Sequence, residues 1–253
     1  AGILREMYAH FGRGLASFAR FPVMTRADLD RRVTLRGEPC LTEALAAGRG
    51  VVLLSAHLGN WEILAATLAA RGYPLTLLVG PQRNKRVQEL FTRYRRRHGV
   101  QVMVRGTSLR PVFRALEAGR IVATVGAQDA GPRGYFVDFL GRPASTALGP
   151  YRIERRAGAP LLIGYGLRQG EGYVAHGESP LFPDPAVDPE QEARAWSRHY
   201  HALLERLISQ HPEQWFWVHR RWRSRPPDTT RRDPDPETVD PAQPQPPQCR
   251  VQR

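Results

Sequence analysis

The stretch Ser55-Ala56-His57-Leu58-Gly59-Asn60-Trp61-Glu62 holds the side chains of this sequence best suited to acid-base chemistry. Imidazole titrates nearer neutrality than other side chains, and a carboxylate beside it fixes one tautomer and raises its basicity, as a base that deprotonates a hydroxyl requires. His57 and Glu62 lie five positions apart. At about 3.6 residues per turn, such a pair does not share one face of a regular helix. The two meet only if His57 lies in a turn and Glu62 in the first turn of the helix after it. The flanks provide this: Val51-Val52-Leu53-Leu54 predicts a buried strand and Ile63 to Leu68 a helix. Gly59 and Asn60 then offer amides at a helix N-terminus to a developing oxyanion. Trp61 reads as a packing residue.

Two further clusters carry charge or aromatic surface. Arg93-Tyr94-Arg95-Arg96-Arg97-His98-Gly99 is mostly a solvated helix face, with one arginine turned towards the His57 turn as a bidentate anion holder. His211 to Trp222 is dense in tryptophan and arginine, a pattern suited to stacking bases or to a lipid headgroup interface, with sheet packing the expected role of at least half its aromatics. Other chemistries lack their motifs. The chain has no G-x-S-x-G elbow, no G-x-x-x-x-G-K phosphate loop and no H-E-x-x-H zinc site. Gly164-Tyr165-Gly166 lacks dinucleotide-binding spacing and reads as a strand end. Cys40 and Cys249 are too far apart for a metal or disulfide framework, so neither a metal nor another cofactor is expected.

These residues need a scaffold, and the periodicity supplies one. Strands are expected at Val51 to Ser55, Leu75 to Val79, Val100 to Val104 and Ile121 to Val125. Helices are expected at Asn60 to Ala70, Lys85 to His98 and from Ser108 up to Gly119. After a Gly/Pro-rich loop come a helix over Thr146 to Ala157, strands at Leu161 to Leu167 and Gly172 to His176 joined by a hairpin-like turn, and an amphipathic helix carrying Trp196 to Ile208. Such alternation predicts an α/β fold, a single α/β/α sandwich with a largely parallel, mixed central sheet. Residues 1–50 read as an N-terminal helical segment with Leu4, Met7, Tyr8, Phe11, Leu15 and Phe18 at helical spacing, expected to pack on the core rather than on a membrane surface. Residues 51–225 read as the catalytic domain and 226–253 as a disordered Pro-rich tail.

The 253 residues, 42% of them hydrophobic, suffice for one core. The formal net charge of +13 points to an anionic partner. Lys85 is the single lysine, so the choice of arginine reflects a compositional bias, but the excess over acids does not. No apolar run approaches the roughly 20 residues that span a bilayer, and no signal-peptide pattern is present. The sequence begins at Ala1, so an anchor missing from it is among the expectations.

Four blocks, between about Gly37 and Pro226, resemble the lipid A biosynthesis lauroyl/myristoyl acyltransferase family. They are Gly48-Arg49-Gly50 leading into His57-Leu58-Gly59-Asn60-Trp61-Glu62; Arg95 to Gly99; Gln128 with Phe136 to Gly141; and Pro212-Glu213-Gln214-Trp215 with Trp217, His219, Arg220, Arg221 and Trp222. The resemblance implies an H-x-x-x-x-[DE] acyltransferase of glycerolphosphate-acyltransferase-like fold at the cytoplasmic face of the bacterial inner membrane. It implies acyl transfer from acyl carrier protein to a hydroxyl of a lipid A precursor or related anionic glycolipid, with no nucleic acid as partner. His57 would be the base and Glu62 would orient it. Arg95, with Arg96 next, would steady phosphate or oxyanion, and Gly59, Asn60, Gln128, Asp129, Arg220 and Arg221 would complete the substrate site. Where the family commonly has Asp-Gln this chain has Ala127-Gln128, with Asp129 two positions on as the substitute carboxylate. A thioesterase using the same pair, or a non-catalytic module binding anionic membrane or nucleic acid, are the alternatives.

Overall fold

In the computed structural model, which describes residues 2–106 and 108–227, a mixed sheet forms the centre of the protein. The N-terminal part comprises helices α1 (Gly2–Ala19), α2 (Arg26–Arg32) and α3 (Glu38–Ala46), with the short strand β1 (Val33–Leu35) between the last two. Then alternate β2 (Val51–Ser55), α4 (Trp61–Ala70), β3 (Leu75–Val79), α5 (Lys85–Arg97), β4 (Gln101–Val104), α6 (Arg110–Glu117) and β5 (Ile121–Val125). A hairpin of β6 (Tyr135–Phe139) and β7 (Arg142–Thr146) precedes α7 (Gly149–Ala157), β8 (Leu161–Gln169), β9 (Gly172–Gly177) and α8 (Pro189–Gln210).

The sheet order is β1-β9-β8-β2-β5-β3-β4. Strands β8, β2, β5, β3 and β4 are parallel, while β9 turns back antiparallel to β8 and carries β1 parallel to itself at the edge. Alternation along β2 sorts the two cores. Val52 and Leu54 face a cluster with α6, α7 and α8, whereas Val51 and Leu53 face one with α3 and α4. The result is the expected α/β/α sandwich.

Differences from the sequence reading have local causes. Strand β1 is three residues long and exists only by its register with Tyr173 to Ala175. The β6–β7 hairpin lies where the Gly/Pro-rich loop and the start of a helix at Thr146 were expected. Helix α7 starts at Gly149 with Pro150 in its first turn, and α6 starts at Arg110 with Pro111 likewise, because proline's fixed φ and missing amide suit that position. Of the expected tail, 226–253, all beyond residue 227 falls outside the described residues, as does Cys249. No helix among the described residues is long and apolar enough to cross a membrane.

The chain leaves β2 towards β3 on one side of the sheet and leaves β5 towards β8 on the other. Adjacent strands with diverging connections open a crevice at their carboxyl ends. His57 follows β2 and Gln128 follows β5, so both stand at that crevice.

Candidate active site

The turn after β2 is held on three sides. Asn60 caps α4, its side-chain oxygen accepting from the Ile63 amide at 3.2 Å. Gly59 adopts φ +62°, and a Cβ there would lie 1.9 Å from the Gly166 carbonyl oxygen, so only glycine fits. The block from Pro212 to Trp222 forms the third side. The Gly59 amide donates to the Gln214 carbonyl at 3.0 Å, the Phe216 amide to the His57 carbonyl at 3.0 Å, and Leu58 bridges Trp215. Gln214 is itself clamped to β8, accepting from the Arg168 amide at 2.7 Å and donating to the Arg168 carbonyl at 3.2 Å.

His57 sits in an aromatic enclosure. Its ring lies 4.7 Å from that of Trp61 and 4.4 Å from that of His219, both edge to face, with Phe216 at 6.3 Å. Burial, with a smaller push from His219, lowers its pKa to about 3, so the imidazole is neutral near pH 7. Its Nδ1 is buried without a hydrogen-bond partner. His219 in turn meets the Gln128 amide nitrogen, 3.2 Å from its Nε2, and burial lowers its pKa as well.

The expected contact between His57 and Glu62 is replaced by another. The Glu62 carboxylate accepts from Arg95 Nε at 3.0 Å and from Arg95 Nη2 at 2.6 Å, a two-point pair with both side chains largely buried. A guanidinium matches a carboxylate in two parallel bonds, which an imidazole cannot offer, and α5 brings Arg95 within reach. The arginine that turns inward is therefore Arg95, whereas Arg96 is exposed.

At the carboxyl ends of β2, β3 and β5 lies a cavity of about 790 Å³. His57, Glu62, Arg95, Arg105, Gln128 and Asp129 line it together with apolar side chains that include Leu41, Leu53, Ala65, Leu68, Leu75 and Leu162. A few polar groups on an otherwise apolar concavity are the usual make-up of a small-molecule or lipid-chain site.

Other expected site residues are structural. The Gly59 amide is spent on Gln214, so it does not face a reacting oxygen, and Asn60 is buried as a cap. Arg221 is 1% exposed; its guanidinium donates to the Ser145 carbonyl and to Thr146 Oγ1 at 2.6 Å, and lies 3.0 Å from His201 Nε2 and over the Phe139 ring. Burial lowers its pKa to about 10, which leaves it charged at pH 7. Arg220 is exposed. Among the described residues, Gly59, Asn60, Arg96, Arg220 and Arg221 do not line the cavity. Asp129 does, but its carboxylate accepts from the Ser224 amide at 2.9 Å, the Ser224 hydroxyl at 2.8 Å and the Gly131 amide at 3.0 Å, so it anchors the C-terminal segment. Burial pushes its pKa up, and these donors outweigh that to leave it lowered. Ala127, at the position of the missing carboxylate, is buried at φ +59°. The sequence reading passed over Trp61, Phe216 and His219 as neighbours of His57. Two of them lie in the distant aromatic block, marked in the sequence by its density and, for His219, by the family resemblance.

The chain matches the model of the family described as bacterial lipid A biosynthesis acyltransferase over residues 1–224. It is 28% identical over 222 residues to a phosphatidylinositol mannoside acyltransferase of Mycobacterium tuberculosis, an alignment covering 84% of this chain and 67% of that protein. It is 25% identical to a lipid A biosynthesis acyltransferase of Haemophilus influenzae, covering 85% and 67%, and 29% identical to the lipid A biosynthesis lauroyltransferase of Escherichia coli, covering 78% and 65%. A match across nearly every described residue includes the His57 turn, the cavity walls and the block that braces them, and on it the protein is a member of the bacterial lipid A biosynthesis acyltransferase family.

Proposed function

We propose that the protein moves a fatty acyl chain from acyl carrier protein to a hydroxyl of a bacterial glycolipid, a lipid A precursor or a related lipid such as a phosphatidylinositol mannoside, at the cytoplasmic face of the inner membrane. One observation carries the reading: a neutral histidine stands at the rim of a cavity with a largely apolar lining in which leucine is the most frequent residue. The cavity takes the acyl chain and its rim takes the reacting groups.

In this reading the acceptor hydroxyl attacks the thioester carbonyl as His57 takes its proton. The new C–O bond forms, the C–S bond breaks, and the proton returns from His57 to the departing thiolate. In this reading transfer is direct, and Cys40, a buried residue of α3, is not among the cavity's lining residues to serve as a covalent carrier. Glu62 acts through Arg95, holding its guanidinium at the rim where acceptor phosphate or oxyanion collects. The net charge of +13 favours both an acidic carrier protein and an anionic lipid.

Purified protein supplied with an acyl-carrier-protein thioester and a panel of glycolipid acceptors should yield an acylated lipid by mass spectrometry. Thioester consumption that proceeds equally without acceptor would instead identify a thioesterase.

A further inference from the structure

Helix α5 stands beside the mouth of the cavity, and its two sides differ. The inner side is fixed: Arg95 is bonded to Glu62 at the rim, and the Phe91 and Tyr94 rings lie 4.9 and 5.5 Å from that of Phe18. The outer side is cationic. Arg86, Arg93 and Arg97 recur at spacings of seven and four, which places them on one helical face, and all three are exposed. Arg83 and Lys85 are exposed at the N-terminal end of α5. Arg105, whose amide donates to the Val79 carbonyl at 2.8 Å, is exposed at the end of the neighbouring strand β4. Glu89 is the only acid in α5, and among the described residues none of these cations forms an ion pair.

This surface runs into the cavity. Gly80, Pro81 and Gln82, which lead from β3 towards α5, line the cavity, as does Arg105. The residues that follow, Arg83 to Arg86, line a shallow hollow of their own. A helix of 13 residues, about 20 Å long, thus presents cations along its outer side and ends at a cationic hollow that adjoins the entrance leading to His57.

We infer that the outer face of α5 docks an acidic carrier protein, an acidic helix of which lies along Arg86, Arg93 and Arg97. The phosphate of the carrier's pantetheine arm rests in the hollow at Arg83 to Arg86, and the arm passes Arg105 into the cavity. Charge complementarity selects the occupant. A helix that lies in a bilayer surface needs an apolar face, and along α5 the one large apolar side chain that is exposed is Val87, at 36%. Nucleic-acid bases stack on aromatic side chains, and both aromatic rings of α5 pack on Phe18. The inference rests on the reading of the donor as an acyl carrier protein, but its test is read without catalysis.

The probe is a fluorescent holo-acyl carrier protein whose acyl chain is joined through an amide, so that it cannot be transferred, titrated with the full chain and followed by anisotropy. Binding should fall with salt. Arg83→Glu with Lys85→Glu and Arg86→Glu should weaken it by at least about tenfold. Arg5→Glu with Arg32→Glu and Arg36→Glu makes the same change of charge at exposed positions, the last two beside β1 at the opposite edge of the sheet, and should weaken it far less. All the substituted side chains are exposed, and circular dichroism should show both variants folded. Unchanged binding by the α5 variant, or equal losses in the two variants, would overturn the inference. So would an α5 variant that keeps the carrier but no longer floats with phosphatidylglycerol vesicles, which would give the face to lipid. Binding that depends on α5, together with no transfer from the matching thioester to any glycolipid, would support the docking face and count against the acyltransferase reading alone.

Discussion

Glu62 is bonded to Arg95 and not to His57. The two oxygens of one carboxylate take two nitrogens of one guanidinium, 3.0 and 2.6 Å away, between side chains 14% and 11% exposed. The acid of the H-x-x-x-x-[DE] pattern thus builds the rim of the cavity, while the imidazole is left with an unpartnered Nδ1.

The pair should behave as a unit. Arg95→Met leaves a largely buried carboxylate alone and should cost about 3 kcal/mol, and Glu62→Gln should cost less because glutamine keeps an acceptor. The double variant should cost well below the sum of the singles, and urea unfolding of the four proteins gives the coupling. Additive costs would show that the contact contributes no stability.

His57→Ala should lower acyl transfer by about a hundredfold or more while leaving the fold intact, because the ring's buried nitrogen makes no bond that folding needs. Product formation under single-turnover conditions, set beside circular dichroism, separates the two effects. Undiminished activity in a folded variant would remove His57 from the mechanism.

Acid should weaken the fold earlier than carboxylate protonation alone would. Burial lowers the pKa of His57 to about 3 and that of His201 to about 4. In the unfolded chain each takes a proton near pH 6.5, so between that value and the folded one the unfolded state binds more protons. Stability is therefore full above pH 6.5 and falls as pH drops, by up to about 1.4 kcal/mol per pH unit for each group. Urea midpoints measured from pH 7.5 to 5 should show this slope, and His57→Asn should reduce it.

Gly59→Ala should cost at least about 2 kcal/mol and most of the activity, since the new methyl meets the Gly166 carbonyl and the backbone stands at φ +62°. A thermal melt with a transfer assay is sufficient, and a variant as stable as wild type would mean the turn relaxes freely.

The neighbouring arginines should separate sharply. Arg221→Met removes the buried donor that joins the Ser145 carbonyl, the Thr146 hydroxyl and His201, and should cost about 3 kcal/mol. Arg220→Ala, at an exposed position, should stay within about 0.5 kcal/mol. Equal effects would contradict the burial of one and the exposure of the other.

Much of this arrangement was legible in the order of residues. The strand at Val51 to Ser55, the helix beginning after Asn60 and the turn between them follow from hydrophobic period and a capping side chain, both of which act over a few residues. Strand β1 was not legible, because a three-residue segment is a strand only once β9 lies beside it. The β6–β7 hairpin was masked by glycine and proline at its approach.

The sequence by itself determined the residue types at the crevice and the strand-turn-helix that presents His57, since local sterics and periodicity decide those. Tertiary structure alone decided the partners. Which of several arginines reaches Glu62 depends on how α5 packs, and Arg221 is buried because the last segment folds over the β6–β7 hairpin. His219 stands against His57 because Gln214 fastens its segment to β8. Pairings of that kind are settled by packing between elements distant in the chain, and no spacing along the sequence encodes them.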